Sequence, residues 1–365
     1  MNLHSNAAAG GTEGAVLRGI RDRAGAADRG ETTLAADLEA LHDSGLLAAV
    51  VSHTGIGGDA AAGVRLLRRI GRASLSVGRI VEGHANAMRL VQLYGAADQR
   101  ARVRQIVAQG GTLGVWGAEG RDPLRFEPAG GGVLRGAKIF CSGLGLLSVA
   151  VVTAPTDAGP QMLLARADDP ARADATPWDV SGMRATASGR YDFTGVAAEP
   201  LGQPGDILRE PHFEGGIWRY SALHCGGLEA LADGVRCHLR DRGQADQPQQ
   251  AARLAQLVVQ AQTARLWVEA AAAAVEKSVL LGDKAVPEAV TLALLARQAV
   301  ETACRDGIAL TERAMGTAAF AASSDVDRTR RDLAFFLRQA NLDGKLAEAA
   351  RALMADPAPV GEMWP

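Results

Sequence analysis

GGVLRGAKIFCSG, residues 131–143, sets short apolar and polar side chains in alternation between glycines. Period-two alternation closed off by turn formers is the signature of a strand in a hairpin. The same texture returns in TLGVWG (112–117), SVAVVTA (148–154), QMLLARA (161–167) and SGRYDFTGVAAEP (188–200), separated by Gly, Pro and Asp. A β-rich segment therefore runs from Thr112 to about Pro204. Its glycines read as turns: Gly143-Leu144-Gly145 lacks the third glycine and the following helix of a dinucleotide fingerprint.

On both sides of this segment the period changes to that of helices. LAADLEALHDSGLLAAV (34–50) places Leu34, Leu38, Leu41, Leu46 and Leu47 at helical spacings, with Gly45 interrupting and capping. SHTGIGGD (52–59) reads as a glycine-rich loop, residues 60–95 as two further helices, and AADQRARVRQIVAQGG (96–111) as a short charged helix ending in Gly-Gly. After the β segment, residues 212–240, 251–281 and 287–316 give three long amphipathic patterns. Arg328 to Asn341 gives a fourth, with Leu333, Phe336 and Leu337 on one face, and the Pro-rich tail ADPAPVGEMWP (355–365) reads as irregular. Long amphipathic helices bury their apolar stripes in a bundle. The expected class is α+β in three parts: an N-terminal helical domain (1–110), a central β-barrel or sandwich domain (111–208) and a C-terminal four-helix bundle (209–365).

The 365 residues are 47% hydrophobic, enough for a large core, and carry a formal net charge of −2. With a pI near 6.4, the balance excludes the basic excess of a nucleic-acid binder. No apolar run approaches the roughly 18 residues that span a bilayer. MNLHSNAAAGGTEG lacks the basic start and apolar stretch of a signal peptide. Four cysteines without a CxxC point to a reduced, cytoplasmic protein. His224-Cys225 and Cys237-His238 resemble a metal motif, but the intervening residues read as one helix. Twelve helical residues span roughly 18 Å, too far for one ion, so no metal site is expected.

The order helices, β domain, helices resembles the acyl-CoA dehydrogenase superfamily, and local motifs add to the likeness. LHDSGLLAAVVSHTGIGGD resembles the family's leucine–small–glycine–leucine stretch and Gly-Gly loop, and LYGAADQRARVRQIVAQGGTLGVWGAEG its passage into the β domain. LRGAKIFCSGLGLLSVAVVTA and SGMRATASGRYDFTGV resemble its Leu-x-Gly-x-Lys and Gly-Met-Arg hairpins. ERAMGTAAF and the Arg-x-x-Arg-Asp pattern of Arg328, Arg331 and Asp332 resemble its last helices. The resemblance implies FAD between the β domain and the bundle, part of its site coming from a neighbouring subunit of a homodimer or homotetramer. It also implies a small-molecule acyl thioester substrate and an electron acceptor or reductase as partner.

Residue by residue, the resemblance puts Val115, Gly117 and Ala118 along the flavin edge, with Ala118 replacing a usual threonine. It puts Phe140 against the flavin and the Ser142 hydroxyl on its N5; lying two apart in a strand, these two residues should share a face. The family's Gly-Ser-Asp is missing from EGRDPLRFEP (119–128), where Arg121 or Arg125 offers a positive charge instead. Arg313, Gly316 and Thr317 match the cross-subunit FAD motif, with Arg for its Gln and Thr for its second Gly. Arg240 or Arg242 matches its diphosphate-binding arginine. Arg328 and Asp332, one turn apart, suit a structural ion pair.

The catalytic base is missing. The register of the family's glutamate falls on Ala340, between Gln339 and Asn341, and that of a second branch on Trp218, before Arg219. The remaining candidates are Glu214, a turn before Trp218, and His84, each with a bland structural alternative. The monooxygenase branch carries a histidine near the C-terminal helix, and none follows His238 here. The leading expectation is FAD-dependent α,β-desaturation of an acyl thioester with hydride transfer to flavin N5. The alternatives are a flavin-dependent monooxygenase of the same fold, or a non-catalytic FAD- or ligand-binding scaffold with its cavity closed by side chains such as Trp218 and Phe336.

Overall fold

A computed structural model describes residues 3–339 and 341–364. It opens with helices α1 (Leu3–Asp28), α2 (Ala35–Asp43), α3 (Leu46–Thr54), α4 (Ala60–Ala73), α5 (Leu75–Tyr94) and α6 (Ala97–Ala108). Strands β1 (Leu113–Trp116), β2 (Arg125–Glu127), β3 (Val133–Arg135), β4 (Ala137–Cys141), β5 (Val149–Ala154), β6 (Gln161–Arg166), β7 (Ala173–Asp174), β8 (Gly189–Asp192) and β9 (Ala198–Leu201) follow. Helices α7 (Trp218–Asp241), α8 (Pro248–Leu281), α9 (Val286–Met315), α10 (Asp325–Phe336) and α11 (Leu342–Ala355) complete the described chain. The changes of period at Thr112 and after Pro204 are therefore real changes of structure. Gly45 separates α2 from α3 in the left-handed conformation its sequence position suggests, at φ 75°.

The chain divides into two compact units, Met1–Gly55 with Ser76–Arg209, and Ile56–Leu75 with Glu210–Pro365. In the first, a four-stranded sheet runs β1-β5-β6-β9, with β1 parallel to β5 and the other pairs antiparallel. A three-stranded sheet runs β4-β8-β7, and β2 pairs with β3. Ala87 and Val91 of α5 and Val103 of α6 pack with Leu113, Val149, Val151, Met162 and Leu201 of the larger sheet in one apolar core. Alternation along β1 sends Trp116 the other way, against Tyr191 of the smaller sheet (5.4 Å) and Phe193 (6.1 Å). Aromatic packing thus joins the two sheets.

The second unit is helical. The four amphipathic patterns become α7, α8, α9 and α10, accompanied by α11 and by α4, which comes from the early helical region. Glycines explain the α4–α7 pairing. A Cβ on Gly226 would lie 2.1 Å from the Arg68 carbonyl oxygen, and one on Gly71 would lie 2.6 Å from that of Leu223. Only missing side chains on both helices permit that approach. Asp59 caps α4 through the Ala62 N–H (3.0 Å), and Ser324 caps α10 through that of Asp327 (3.0 Å). The expected Arg328–Asp332 pair is present at 4.0 Å, with Asp325 also on Arg328 at 3.2 Å.

Candidate functional site

In the first unit a cleft of about 210 Å³, counted to its mouth, opens between α5 and β1. Arg79, Ile80 and Gly83 form one side, Leu113–Trp116 the other, and Ser142 and Leu147 close it. Arg79 is ion-paired with the buried Glu82 carboxylate, which also accepts from Asn86.

Val115 is half-buried and packs on the apolar core; Gly117 is exposed and Ala118 half-buried just beyond β1. The turn carrying these last two is fixed by Lys138, whose side chain has 0% exposure. Its ammonium pairs with Glu119 and donates to the Gly117 carbonyl and to Thr153 Oγ1, both at 3.2 Å. Burial lowers the Lys138 pKa, while the Glu119 carboxylate opposes that shift.

Phe140 and Ser142 do not share a strand face. Between Lys138 and Cys141 the β4–β8 register shifts, Phe140 sits at φ 53°, and β4 ends at Cys141. One extra residue is accommodated as a bulge, which breaks the alternation the expectation relied on. Phe140 is turned out, 61% exposed and edge-on to Trp178 at 6.2 Å. Ser142 remains at the cleft, accepting from Ser188 Oγ at 2.8 Å. Its backbone carbonyl takes the Trp116 indole N–H at 3.0 Å. Ser188 and Thr186 were missed by sequence reasoning, although two hydroxyls at spacing two in RATASG were a visible signal. Arg121 is exposed in the loop before β2, and Arg125 is exposed at the start of that strand.

His84 is fully buried on α5, and its Nδ1 accepts the Leu113 N–H at 3.0 Å. A neutral ring with Nδ1 as acceptor carries its proton on Nε2, and that buried nitrogen has no partner among the described residues. Burial, helped by His42, pulls the His84 pKa down to about 4. The ring is therefore neutral near pH 7 and ties α5 to the open edge of β1, which is not the state of an acid–base catalyst.

In the second unit, Arg240 and Arg242 stand exposed at the end of α7, and Arg313 in the last turn of α9. Gly316, at φ 58°, ends α9 and Thr317 follows it, both exposed. Gln250 Nε2 donates to the Ala314 carbonyl at 3.2 Å, setting the start of α8 beside the end of α9. A short connection joins α7 to α8, so the three arginines gather at one end of the bundle.

Glu214 precedes α7 by a short 3-10 turn, and its carboxylate is ion-paired with Lys345 of α11. It is a committed partner rather than a free base. Trp218 is buried and donates to Glu276 at 3.3 Å; Phe336 is buried as well. Ala340, the register of the family's glutamate, lies outside the described residues. α7 runs unbroken from Trp218 to Asp241, so the His-Cys and Cys-His pairs lie on one helix. His224 sits between Tyr220 and Phe336, its pKa driven well below the usual value by complete burial.

This architecture is the acyl-CoA dehydrogenase fold. Butyryl-CoA dehydrogenase of Megasphaera elsdenii superposes with a TM-score of 0.77 at 15% identity, over 93% of this chain and 96% of its own. FMN-bound TdsC, a dibenzothiophene monooxygenase of Paenibacillus sp. A11-2, superposes with a TM-score of 0.81 at 21% identity, over 98% and 100%. In sequence, the chain is 32% identical over 213 residues to dibenzothiophene monooxygenase of Rhodococcus erythropolis. That match spans 52% of this chain and 51% of the relative, about half the length of each. No family model matches the chain. No helix among the described residues is long and apolar enough to cross a membrane.

Proposed function

We propose that this protein is a flavin-dependent monooxygenase that takes reduced flavin from a separate reductase and oxygenates a small organic molecule. The observation that carries the reading is the engagement of Glu214 by Lys345: the candidate carboxylate, one turn before the Trp218 register, is already paired. Desaturation of a thioester needs a free base, whereas oxygen activation on reduced flavin does not. The partial sequence match to dibenzothiophene monooxygenases supports the same choice and suggests a sulfur-containing or fused aromatic substrate.

The donor set fits a flavin. The Ser142 hydroxyl accepts from Ser188, which leaves its own proton for a ligand at the cleft. Lys138 holds the Gly117–Ala118 backbone, which would lie along the ring. FMN is the proposed form, following the FMN-bound structural relative. Bound reduced flavin supplies the electrons that activate dioxygen. The chain's own residues would orient the ring: Ser142 would hydrogen-bond its edge, and Ile80, Trp116 and Leu147 would give it an apolar lining.

A homo-oligomer is part of this reading. On α8, Val259 (61% exposed), Leu266 (58%) and Leu280 (75%) lie on one outward stripe. A contiguous exposed apolar stripe marks an interaction surface, and a second copy of the chain is the proposed cover.

The test is oxygen uptake with FMN, NADH and a flavin reductase, using dibenzothiophene and indole as first substrates. Substrate-dependent uptake requiring all components is expected. Anaerobic dye reduction by butyryl-CoA without a reductase would overturn the proposal in favour of desaturation.

A further inference from the structure

Behind Ser142 runs a chain of hydroxyls. Ser142 Oγ lies 2.8 Å from Ser188 Oγ, which lies 2.7 Å from Thr186 Oγ1, which lies 2.7 Å from the Met183 carbonyl oxygen. Ser188 is 4% exposed and Thr186 1%, so water does not compete for these contacts. The backbone is built around them. Met183 and Ala187 hold left-handed conformations, φ 59° and 44°, which non-glycine residues keep only where their surroundings impose them. The Gly143 N–H donates to the Thr186 carbonyl at 2.7 Å, pinning the Ser142 segment to the same turn.

Each hydroxyl has one proton to give, so the chain has two self-consistent polarities. Pointing outward, Ser188 donates to Ser142 and the Ser142 proton faces the cleft. Pointing inward, Ser142 donates to Ser188, Ser188 to Thr186 and Thr186 to the Met183 carbonyl, leaving a Ser142 lone pair for the cleft. The two states differ only in which hydrogen bonds are filled. A flavin makes opposite demands in its two redox states: N5 is an acceptor when oxidised and an N–H donor when reduced.

We propose that Ser188 and Thr186 are positioning residues that let Ser142 reverse its hydrogen bond, donating to oxidised flavin and accepting from reduced flavin. This rests on the flavin reading above. Without Ser188 the outward state survives, since Ser142 keeps its proton. The inward state loses its internal acceptor, so reduced flavin bears the loss.

The experiment measures Kd for oxidised and for anaerobically reduced FMN by fluorescence titration, in the wild type, Ser188→Ala, Ser188→Thr, Thr186→Val, Ser142→Ala and the Ser142→Ala/Ser188→Ala double variant. One neutral hydrogen bond corresponds to about tenfold. Ser188→Ala is expected to weaken reduced FMN about tenfold and oxidised FMN less than about threefold. A tenfold change in that ratio is about 30 mV of two-electron potential. Ser188→Thr should restore the ratio, Thr186→Val should shift it in the same direction, and Ser188→Ala should have no further effect once Ser142 is alanine. A ratio unchanged in Ser188→Ala, or a shift that persists in the Ser142→Ala background, overturns the inference while leaving the flavin reading intact. Failure of the wild type to bind FMN in either state overturns both.

Discussion

His84 makes the stability of the first unit depend on pH in a calculable way. Its pKa falls from the ordinary 6.5 to about 4 because the buried ring cannot be charged cheaply. The unfolded chain therefore binds a proton between these two values that the folded chain refuses. The resulting stability is complete above pH 6.5 and is lost as the pH falls towards 4. The full span is about 3 kcal/mol, from about 1.4 kcal/mol per pKa unit. About 2 kcal/mol of it is gone at pH 5. His84→Gln removes the titration while keeping an acceptor for the Leu113 N–H. Urea unfolding at pH 7.5 and 5.0, followed by tryptophan fluorescence, should show the wild type losing about 2 kcal/mol more than the variant over that interval. The variant is expected to be the less stable protein at pH 7.5. Other titrating groups, including buried His224, cancel in the difference. Equal losses in both proteins would refute the argument, as would a wild-type His84 ring proton whose NMR shift titrates near pH 6.5.

Three more outcomes follow from the packing. Gly226→Ala drives a methyl group into the Arg68 carbonyl, 2.1 Å from its ideal position, and overpacking of this kind costs about 1–3 kcal/mol, read as a drop in Tm by circular dichroism. Glu214→Gln strands the Lys345 ammonium, whose side chain is 11% exposed, and should lower stability by about 3 kcal/mol without a matching loss of reductase-dependent oxygen uptake per folded enzyme. Leu266→Glu puts a charge in the exposed apolar stripe of α8, and light scattering should show a shift towards smaller species.

The elements were legible because each carries its own period. The strand texture between Thr112 and Pro204 and the leucine spacings of residues 34–50 are local signals, and the structure follows them. What stayed hidden depended on contacts between distant segments. The Gly226-Gly227 pair is readable as a break in side-chain volume, but only the facing Gly71 reveals that α4 is its partner. The bulge at Phe140 was unreadable for a related reason. A positive φ is announced by glycine or asparagine, and here Phe140, Met183 and Ala187 adopt it under the constraint of their surroundings. The Ser142 hydroxyl could be singled out from its motif. The two hydroxyls behind it were visible as a spacing of two in RATASG, but their link to Ser142 was not, because the turn that brings them there is made of these unannounced conformations.

The charges around the candidate residues point in one chemical direction. Glu82 is held by Arg79, Glu119 by Lys138, and Glu214 by Lys345. Each carboxylate is neutralised by a partner that would have to move before it could accept a proton from carbon. The groups left with capacity are neutral: a serine hydroxyl whose hydrogen bond reverses through Ser188 and Thr186, and a neutral imidazole with an N–H to give. Neutral groups of this kind are poor bases but can orient a flavin ring at little electrostatic cost. In the proposed reading, committing Glu82, Glu119 and Glu214 to ion pairs leaves the fold suited to holding a flavin rather than to removing an α-proton. That division favours oxygen chemistry over desaturation.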